Sequence, residues 1–220
     1  MSPTYSEYSY DGLSQIIQEP GHQYRYDPIY RRVEVDGKRI EYNALSEPTE
    51  ALFDLDGNQV QINGWHCQYN PLGELLEARK DKVVIRFTYD PLGRRSSKEV
   101  IQNWVTLDHR EVYLYTLDQE LGSVGKEVAL KIPGLGIDAK ESRAVGIELG
   151  SLSYAPLLDL QGNIVGLLKA QGSTAVQVSK VAYSVFGQPL SSTGVEIPWG
   201  YQGKRYDPEL GLYYFGRRYY

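Results

Sequence analysis

The apolar positions of this chain recur in short runs, several with a period of two. Arg31-Arg32-Val33-Glu34-Val35, Val60-Gln61-Ile62 and Val83-Val84-Ile85-Arg86-Phe87-Thr88-Tyr89 are β-prone stretches of this kind. A period of two sends successive side chains to opposite faces of a strand, so these runs predict strands and not helices. Between strands, Asp36-Gly37, Asp56-Gly57-Asn58 and Asn63-Gly64 are sequences that tight hairpin turns favour. From Lys98 to Tyr115 the alternation continues through Val100, Ile101, Trp104, Val105, Val112 and Leu114, which predicts a longer hairpin whose register is open. The pattern predicts an all-β fold, an antiparallel ribbon of hairpins.

A second pattern overlies the first: an aromatic residue, Asp or Asn, two variable residues, then a glycine-like turn position. The copies start at Tyr10-Asp11, Tyr26-Asp27, Tyr42-Asn43, Phe53-Asp54, Tyr69-Asn70 and Tyr89-Asp90, with Gly73 and Gly93 closing the last two. Successive aromatics lie 16, 16, 11, 16 and 20 residues apart. About 16 residues accommodate two strands of about six residues and two turns. Asp or Asn caps a turn with its own side chain, Pro presets φ at the next position, and Gly takes a positive φ, so the chain reverses at each copy. Tyr30, Ser46 and a displaced Gly12 depart from the usual turn glycine in the first three copies, which predicts irregular hairpins there.

The 220 residues are 41% hydrophobic and 23% charged, which excludes a disordered tail, and the apolar share leans on 19 Tyr against 4 Phe. Tyrosine suits a pleated, half-buried surface that keeps its hydroxyl in water. A net charge of −5 argues against a binder of nucleic-acid backbone, which needs a basic face. Arg217 and Arg218, the local basic run, are expected to pair with carboxylates of neighbouring strands. Cys67 is the single cysteine, so no intrachain disulfide forms. No stretch approaches the roughly 18 apolar residues of a membrane helix, and the N-terminus lacks the basic start and apolar run of a signal peptide.

Candidate chemistry is sparse. His22, His66 and His109 are far apart, and His66-Cys67 are adjacent on a strand and point to opposite faces, so no metal site is expected. No serine sits in a nucleophile elbow. Pro133-Gly134-Leu135-Gly136 lacks the lysine and third glycine of a phosphate loop and reads as a turn. The carboxylate pairs Asp138 with Glu141 and Asp207 with Glu209 read as solvated turn residues. No cofactor and no enzymatic activity are expected.

The C-terminal string Gly200-Tyr201-Gln202-Gly203-Lys204-Arg205-Tyr206-Asp207-Pro208-Glu209-Leu210-Gly211-Leu212-Tyr213-Tyr214, continued by Arg217-Arg218-Tyr219-Tyr220, resembles the core signature of Rhs/YD-repeat proteins. Tyr154 to Val165 and Tyr183-Ser184-Val185-Phe186-Gly187 are similar to two elements that precede that core. With the six repeats, the resemblance covers nearly the whole chain. It implies a β-ribbon that spirals into a hollow cocoon around a C-terminal toxin or effector polypeptide, as in Rhs toxins, Tc toxin components and teneurins. It divides the chain into repeat hairpins (1–97), a longer hairpin and linking segment (98–150) and a repeat-associated core (151–220).

The same resemblance implies that Arg218 matches the arginine with which such cores cut themselves from their cargo. That arginine works with downstream aspartates that have no counterpart here, so no self-cleavage by this chain is expected. The implied partners are the remainder of a shell or a partner chain and, in the full-length protein, a toxin cargo, with a secreted or cell-surface location. The alternative reading is a binding module whose exposed Tyr and Trp side chains, Trp104 and Trp199 among them, stack on carbohydrate or a partner protein.

Overall fold

The structure is a computed structural model and describes residues 7–134 and 143–220. It is almost wholly antiparallel β, in open sheets that do not close into a barrel. Two compact units divide the chain, residues 1–53 and 54–220.

The first unit is a five-stranded meander of β1 (Ser9–Tyr10), β2 (Ile16–Glu19), β3 (His22–Tyr26), β4 (Arg32–Val35) and β5 (Lys38–Arg39). Tyr24 and Glu19 are buried together there and joined by a hydrogen bond, while the rest of the unit is thinly covered.

The second unit carries a sheet of thirteen strands in sequential order. Its first half is β6 (Gln61–Ile62), β7 (Trp65–Tyr69), β8 (Leu75–Lys80), β9 (Val83–Tyr89), β10 (Arg95–Gln102) and β11 (Thr106–Thr116). Its second half is β12 (Gln119–Val124), β13 (Val128–Pro133), β14 (Ala144–Leu149), β15 (Leu152–Leu158), β16 (Ile164–Gln171), β17 (Thr174–Tyr183) and β18 (Pro189–Gly194). The segment from Trp199 onward folds over one face, with a short 3-10 turn at Tyr201–Gly203 and a small hairpin of β19 (Arg205–Asp207) and β20 (Leu212–Tyr214). Two buried clusters sit beneath it, one around Trp65, Leu75, Ile85, Phe87 and Leu210, the other around Ile147, Tyr154, Leu167 and Trp199.

The Asp/Asn turns share one hydrogen-bond pattern. In the turn at Asp90, the Leu92 and Arg94 amides both donate to Asp90 Oδ1, the Gly93 amide donates to the Asp90 carbonyl, and the Asp90 amide donates to the Arg94 carbonyl. The turns at Asp11, Asp27, Asn43, Asp54, Asn70 and Asp159 repeat it. The first three turns are therefore regular, while the hairpin of the third copy is reduced to a single bridge between Tyr42 and Pro48, as its expected irregularity required. Ser14, Tyr30 and Ser46 take φ of 62°, 68° and 64° and make the same bonds that Gly73 and Gly93 make at 75°. The side-chain and backbone bonds of the Asx loop hold these residues in the left-handed region despite their Cβ.

Sequential antiparallel order sorts the turns of the large sheet largely by type, with the tight turn at Leu117-Asp118 on the Asx edge as an exception. The turns at Asn70, Asp90, Asp159 and Ser184 all lie on one edge, and the tight turns at Asn63-Gly64, Asp81, Asn103-Trp104, Gly150 and Gly172 lie on the other.

Candidate functional site

The C-terminal signature docks on the sheet through a buried ionic cluster. Arg95 is 0% exposed and Asp207 is 1% exposed; they form an ion pair, and Lys98 Nζ lies 3.3 Å from the other Asp207 oxygen and 3.2 Å from Glu209. The guanidinium of Arg95 stacks over the rings of Tyr113 and Tyr214 at 4.2 Å and 4.3 Å, and donates to the Tyr219 hydroxyl at 2.9 Å. Asp207 and Glu209, expected to be solvated, are thus a buried counter-ion and its half-buried companion. The reason is that the small β19–β20 hairpin turns inward: its loop is closed by backbone bonds from Leu210 and Gly211 to the Asp207 carbonyl, which frees the carboxylate to face Arg95.

A bulge makes the cationic half of the cluster. The β9–β10 register shifts between Arg95 and Ser97, so that Arg95 and Lys98 come to the same face. In a regular strand two residues three apart face opposite ways. Burial would raise the Asp207 carboxyl, but the charges of Arg95 and Lys98 overcome it and hold the group below the ordinary carboxylate range. Lys98 follows the converse logic: burial disfavours its charge, and Asp207, Glu209 and Glu111 more than restore it, so its pKa is raised.

A second anchor lies beside the first. Trp199, with 0% exposure, donates its indole N–H to Glu120 Oε1 at 3.0 Å, and Arg205 Nε donates to the same oxygen at 2.6 Å. The Arg205 guanidinium stacks on Trp199 and Tyr113. An open groove of 960 Å³ runs past this anchor, lined in part by Lys131, Lys204, Arg205 and Trp199. Lys131 Nζ donates to the Gly203 carbonyl at 3.0 Å, and burial pulls its amine down to about 8. A third set of contacts comes from β7 and the turn before it, where Trp65 Nε1 donates to the Glu209 carbonyl and Asn63 to the Leu210 carbonyl.

The other signature residues fall into place around these anchors. A Cβ on Gly200 would sit 2.5 Å from the Tyr183 hydroxyl and 2.9 Å from that of Tyr213, so only glycine fits. Gly200 also lacks the side chain that an Asx loop needs, and Asn163 supplies it from the sheet, accepting from the Gln202 amide at 2.7 Å. Gly203 and Gly211 take positive φ. Tyr201, Tyr206 and Tyr213 form a run of ring contacts, Tyr213 and Tyr214 are buried, and Leu212 packs against the Trp65 cluster. Arg217 and Arg218 are exposed, and no carboxylate among the described residues pairs with either, contrary to the expected pairing. The chain turns there through a backbone bond from Phe215 to the Arg218 carbonyl, which leaves both side chains pointing to solvent.

The repeat tyrosines have a role that their composition did not suggest. Tyr42, Tyr69, Tyr89 and Tyr183 donate their hydroxyls to the carbonyls of Arg32, Gln59, Leu75 and Ile164, at 2.8 to 3.2 Å. Each acceptor is the fifth residue after the Asp or Asn of the preceding turn, so each hydroxyl is spent on the previous repeat and not left in water. Phe53 has no hydroxyl, Tyr10 is exposed in β1, and Tyr26 ends β3. Arg95, Lys98, Glu120 and Lys131 escaped the sequence reading. For Lys98, its period-two match to Val100 on the apolar face was the available signal.

His66 is exposed and its neighbour Cys67 is buried, on opposite faces of β7. No group of three or more His, Cys, Asp or Glu among the described residues could hold a metal ion. No helix among them is long and apolar enough to cross a membrane. Asp138, Glu141, Leu135 and Gly136 lie outside the described residues.

No family model matches the chain, and no curated protein does. Solved structures do. A TcdB2-TccC3-Cdc42 chain aligns with 98% of this chain at 20% identity and a TM-score of 0.69, using 14% of its own length. A chain of the Photorhabdus luminescens Tc holotoxin pore, carrying TccC3 with an Asp-to-Ala change, aligns with 98% at 20% identity and a TM-score of 0.72, using 13% of its length. A TcdB2-TccC3 chain gives 98%, 20% and 0.68. The chain therefore spans about one seventh of these solved chains and has, along almost all its length, the fold of one stretch of them.

Proposed function

We propose that this chain is a wall segment of an Rhs/YD-repeat shell that encapsulates a C-terminal toxin or effector polypeptide. The observation that carries the reading is the thirteen-stranded sheet, open at β6 and β18 and braced across one face by its own C-terminal signature. An open, sequentially ordered ribbon can be extended at either edge strand, and curving such a ribbon encloses a volume. In this reading residues 1–97 supply repeat hairpins, 98–150 the longer hairpin and link, and 151–220 the repeat-associated core. The buried pair of Arg95 and Asp207 serves to lock core to wall, and the chain acts as a scaffold and not as an enzyme. Electron microscopy of the chain within its native flanking sequence tests this: a closed hollow particle that protects an internal polypeptide from protease is expected. An open sheet that leaves that polypeptide digestible would overturn it.

A second reading, a carbohydrate-stacking surface, is favoured by one observation. Trp104 is 51% exposed at a hairpin tip. Trp199 has no part in it, being fully buried. Glycan-array binding lost in Trp104→Ala would support this reading, and a silent array would remove it.

A further inference from the structure

The cations beneath the C-terminal signature come with carboxylates of their own, with one exception. Arg95 and Lys98 face Asp207 and Glu209, and Arg205 faces Glu120. Lys131, on β13, is partly buried, yet no carboxylate among the described residues forms an ion pair with its amine. An ammonium withdrawn from water is disfavoured unless a counter-charge meets it. The hydrogen bond that Lys131 makes goes to the neutral Gly203 carbonyl, at 3.0 Å, and uses one of its three N–H donors.

Charge around Lys131 is unbalanced. The 960 Å³ groove is lined by four cations, Lys131, Arg143, Lys204 and Arg205, against two carboxylates, Asp118 and Glu120. Glu120 is already committed, since one of its oxygens accepts from both Trp199 and Arg205. Burial first, and then the like charges of Lys204 and Arg205, outweigh Glu120 and bring the Lys131 amine to about 8. Lys204 also forms no ion pair among the described residues; its amine lies 5.5 Å from the centre of the Phe215 ring. Lys131 and Arg205 stand on the same indole, at 5.7 Å and 4.9 Å from the Trp199 ring centre, and the Gly203 carbonyl that Lys131 meets immediately precedes Lys204. The three cations thus converge on one stretch of the groove. Its wall holds further unspent groups: Arg205 Nη2 and the Tyr115 hydroxyl are buried without a hydrogen-bond partner. Lysine and arginine can only donate, so what completes this set is an acceptor.

We propose that this groove binds a polyvalent oxyanion, a ligand carrying two or more carboxylate or phosphate charges, against Lys131 and Lys204. Two cations without carboxylates call for two negative charges, and the Arg205 guanidinium in the wall adds to the field that holds them. The ligand takes at Lys131 the place that Asp207 takes at Arg95 and Glu120 takes at Arg205. The inference stands on the groove and not on the shell reading, so a failure here leaves that reading intact.

Calorimetric titration of the 220-residue chain with inorganic pyrophosphate and with citrate, against sodium chloride at equal ionic strength, tests it. At least one of the two anions should bind; tighter pyrophosphate assigns a phosphate ligand and tighter citrate a carboxylate one. Lys131→Gln and Lys204→Gln should each weaken binding by on the order of tenfold. Lys131→Arg should retain it, and Lys169→Gln, at an exposed position of β16, should leave it unchanged. A second readout needs no variant. The pH midpoint for acetylation of Lys131 in the unaltered chain should rise by about one to three pH units when the anion is present, because a counter-charge favours the ammonium. Labelling of Lys169 should not move. The proposal is overturned if neither anion binds, if chloride moves the Lys131 midpoint as far as they do, or if Lys169→Gln weakens binding as much as Lys131→Gln. It is equally overturned if that midpoint already lies near about 10.4 without any anion, since a carboxylate of the chain itself then meets the amine.

Discussion

Arg95 and Asp207, separated by 112 positions, form an ion pair that is closed to water on both sides. Two cations and one aspartate meet there inside a ring of tyrosines, so each charge depends on the others being present. Removing one partner of such a pair strands the other, whereas removing both leaves a neutral cavity that apolar groups can fill. Asp207→Asn should therefore cost about 3–5 kcal/mol. Arg95→Met with Asp207→Leu should recover most of that, with Lys98 still paired to Glu209. Urea denaturation of the three chains reads both changes.

The same pair makes stability depend on acid. A carboxyl whose folded pKa lies below its unfolded value, about 3.9 for Asp, contributes stability that is present above that value and lost as pH falls through the folded one. Asp207 is shifted in that direction. Between about pH 5 and the folded pKa the unaltered chain should lose stability more steeply than Asp207→Asn, read as denaturation midpoint against pH. Parallel curves would contradict the assignment.

Replacing a repeat tyrosine by phenylalanine removes one hydroxyl and leaves a strand-end carbonyl without its donor. Tyr89→Phe should cost about 1–3 kcal/mol, because the Leu75 carbonyl it serves is in a well-buried stretch. Tyr10→Phe, at an exposed ring, should be close to neutral. Thermal melts of the two variants distinguish a general loss of tyrosine from the loss of this bond.

Residues in the left-handed turn position invite an exchange. Ser14 holds φ of 62° there and Gly93 holds 75°. Ser14→Gly should raise stability by up to about 1 kcal/mol, the relief of a Cβ clash set against the greater freedom of glycine when unfolded. Gly93→Ser should lower it by about 1–2 kcal/mol, all the more because a Cβ there would lie 3.0 Å from a Glu74 oxygen. Midpoints moving in the opposite sense would contradict the shared turn geometry.

Lys131 gives a readout of the groove. Its amine titrates at about 8, so its labelling by acetic anhydride, followed by peptide mass spectrometry, should rise through that pH in the folded chain. In the denatured chain the rise should move toward about 10.4. Glu120→Gln should move the folded transition lower still, since that carboxylate supports the ammonium.

Much of this molecule was legible before its coordinates. The turn at Asp90-Pro91-Leu92-Gly93 is a local solution whose backbone and Asx bonds all lie within five residues, so it could be read from residue types alone. Ser14 and Tyr30 were misjudged because side-chain chemistry at the turn glycine was weighed without the bonds that Asp11 and Asp27 contribute. The ionic cluster was hidden for a different reason. It needs a bulge at Ser96 to bring Arg95 and Lys98 to one face, and an inward rotation of the β19–β20 hairpin to bring Asp207 to them. Neither is encoded in a spacing, because both are settled by what packs across the sheet. Tyrosine hydroxyls were misplaced on the same account: composition shows that they need a partner, and only the strand order shows that the partner is the preceding repeat.

The sorting of turns by edge restricts how a chain of this kind can lengthen or shorten. Adding or deleting an even number of strands returns every later Asx turn to its own edge and every later tyrosine to a carbonyl in the repeat before it. An odd number would carry every later Asx turn to the opposite edge and break the tyrosine link that spans the change. Viable relatives should therefore differ in length by whole hairpins, with their sequence registers stepping two strands at a time.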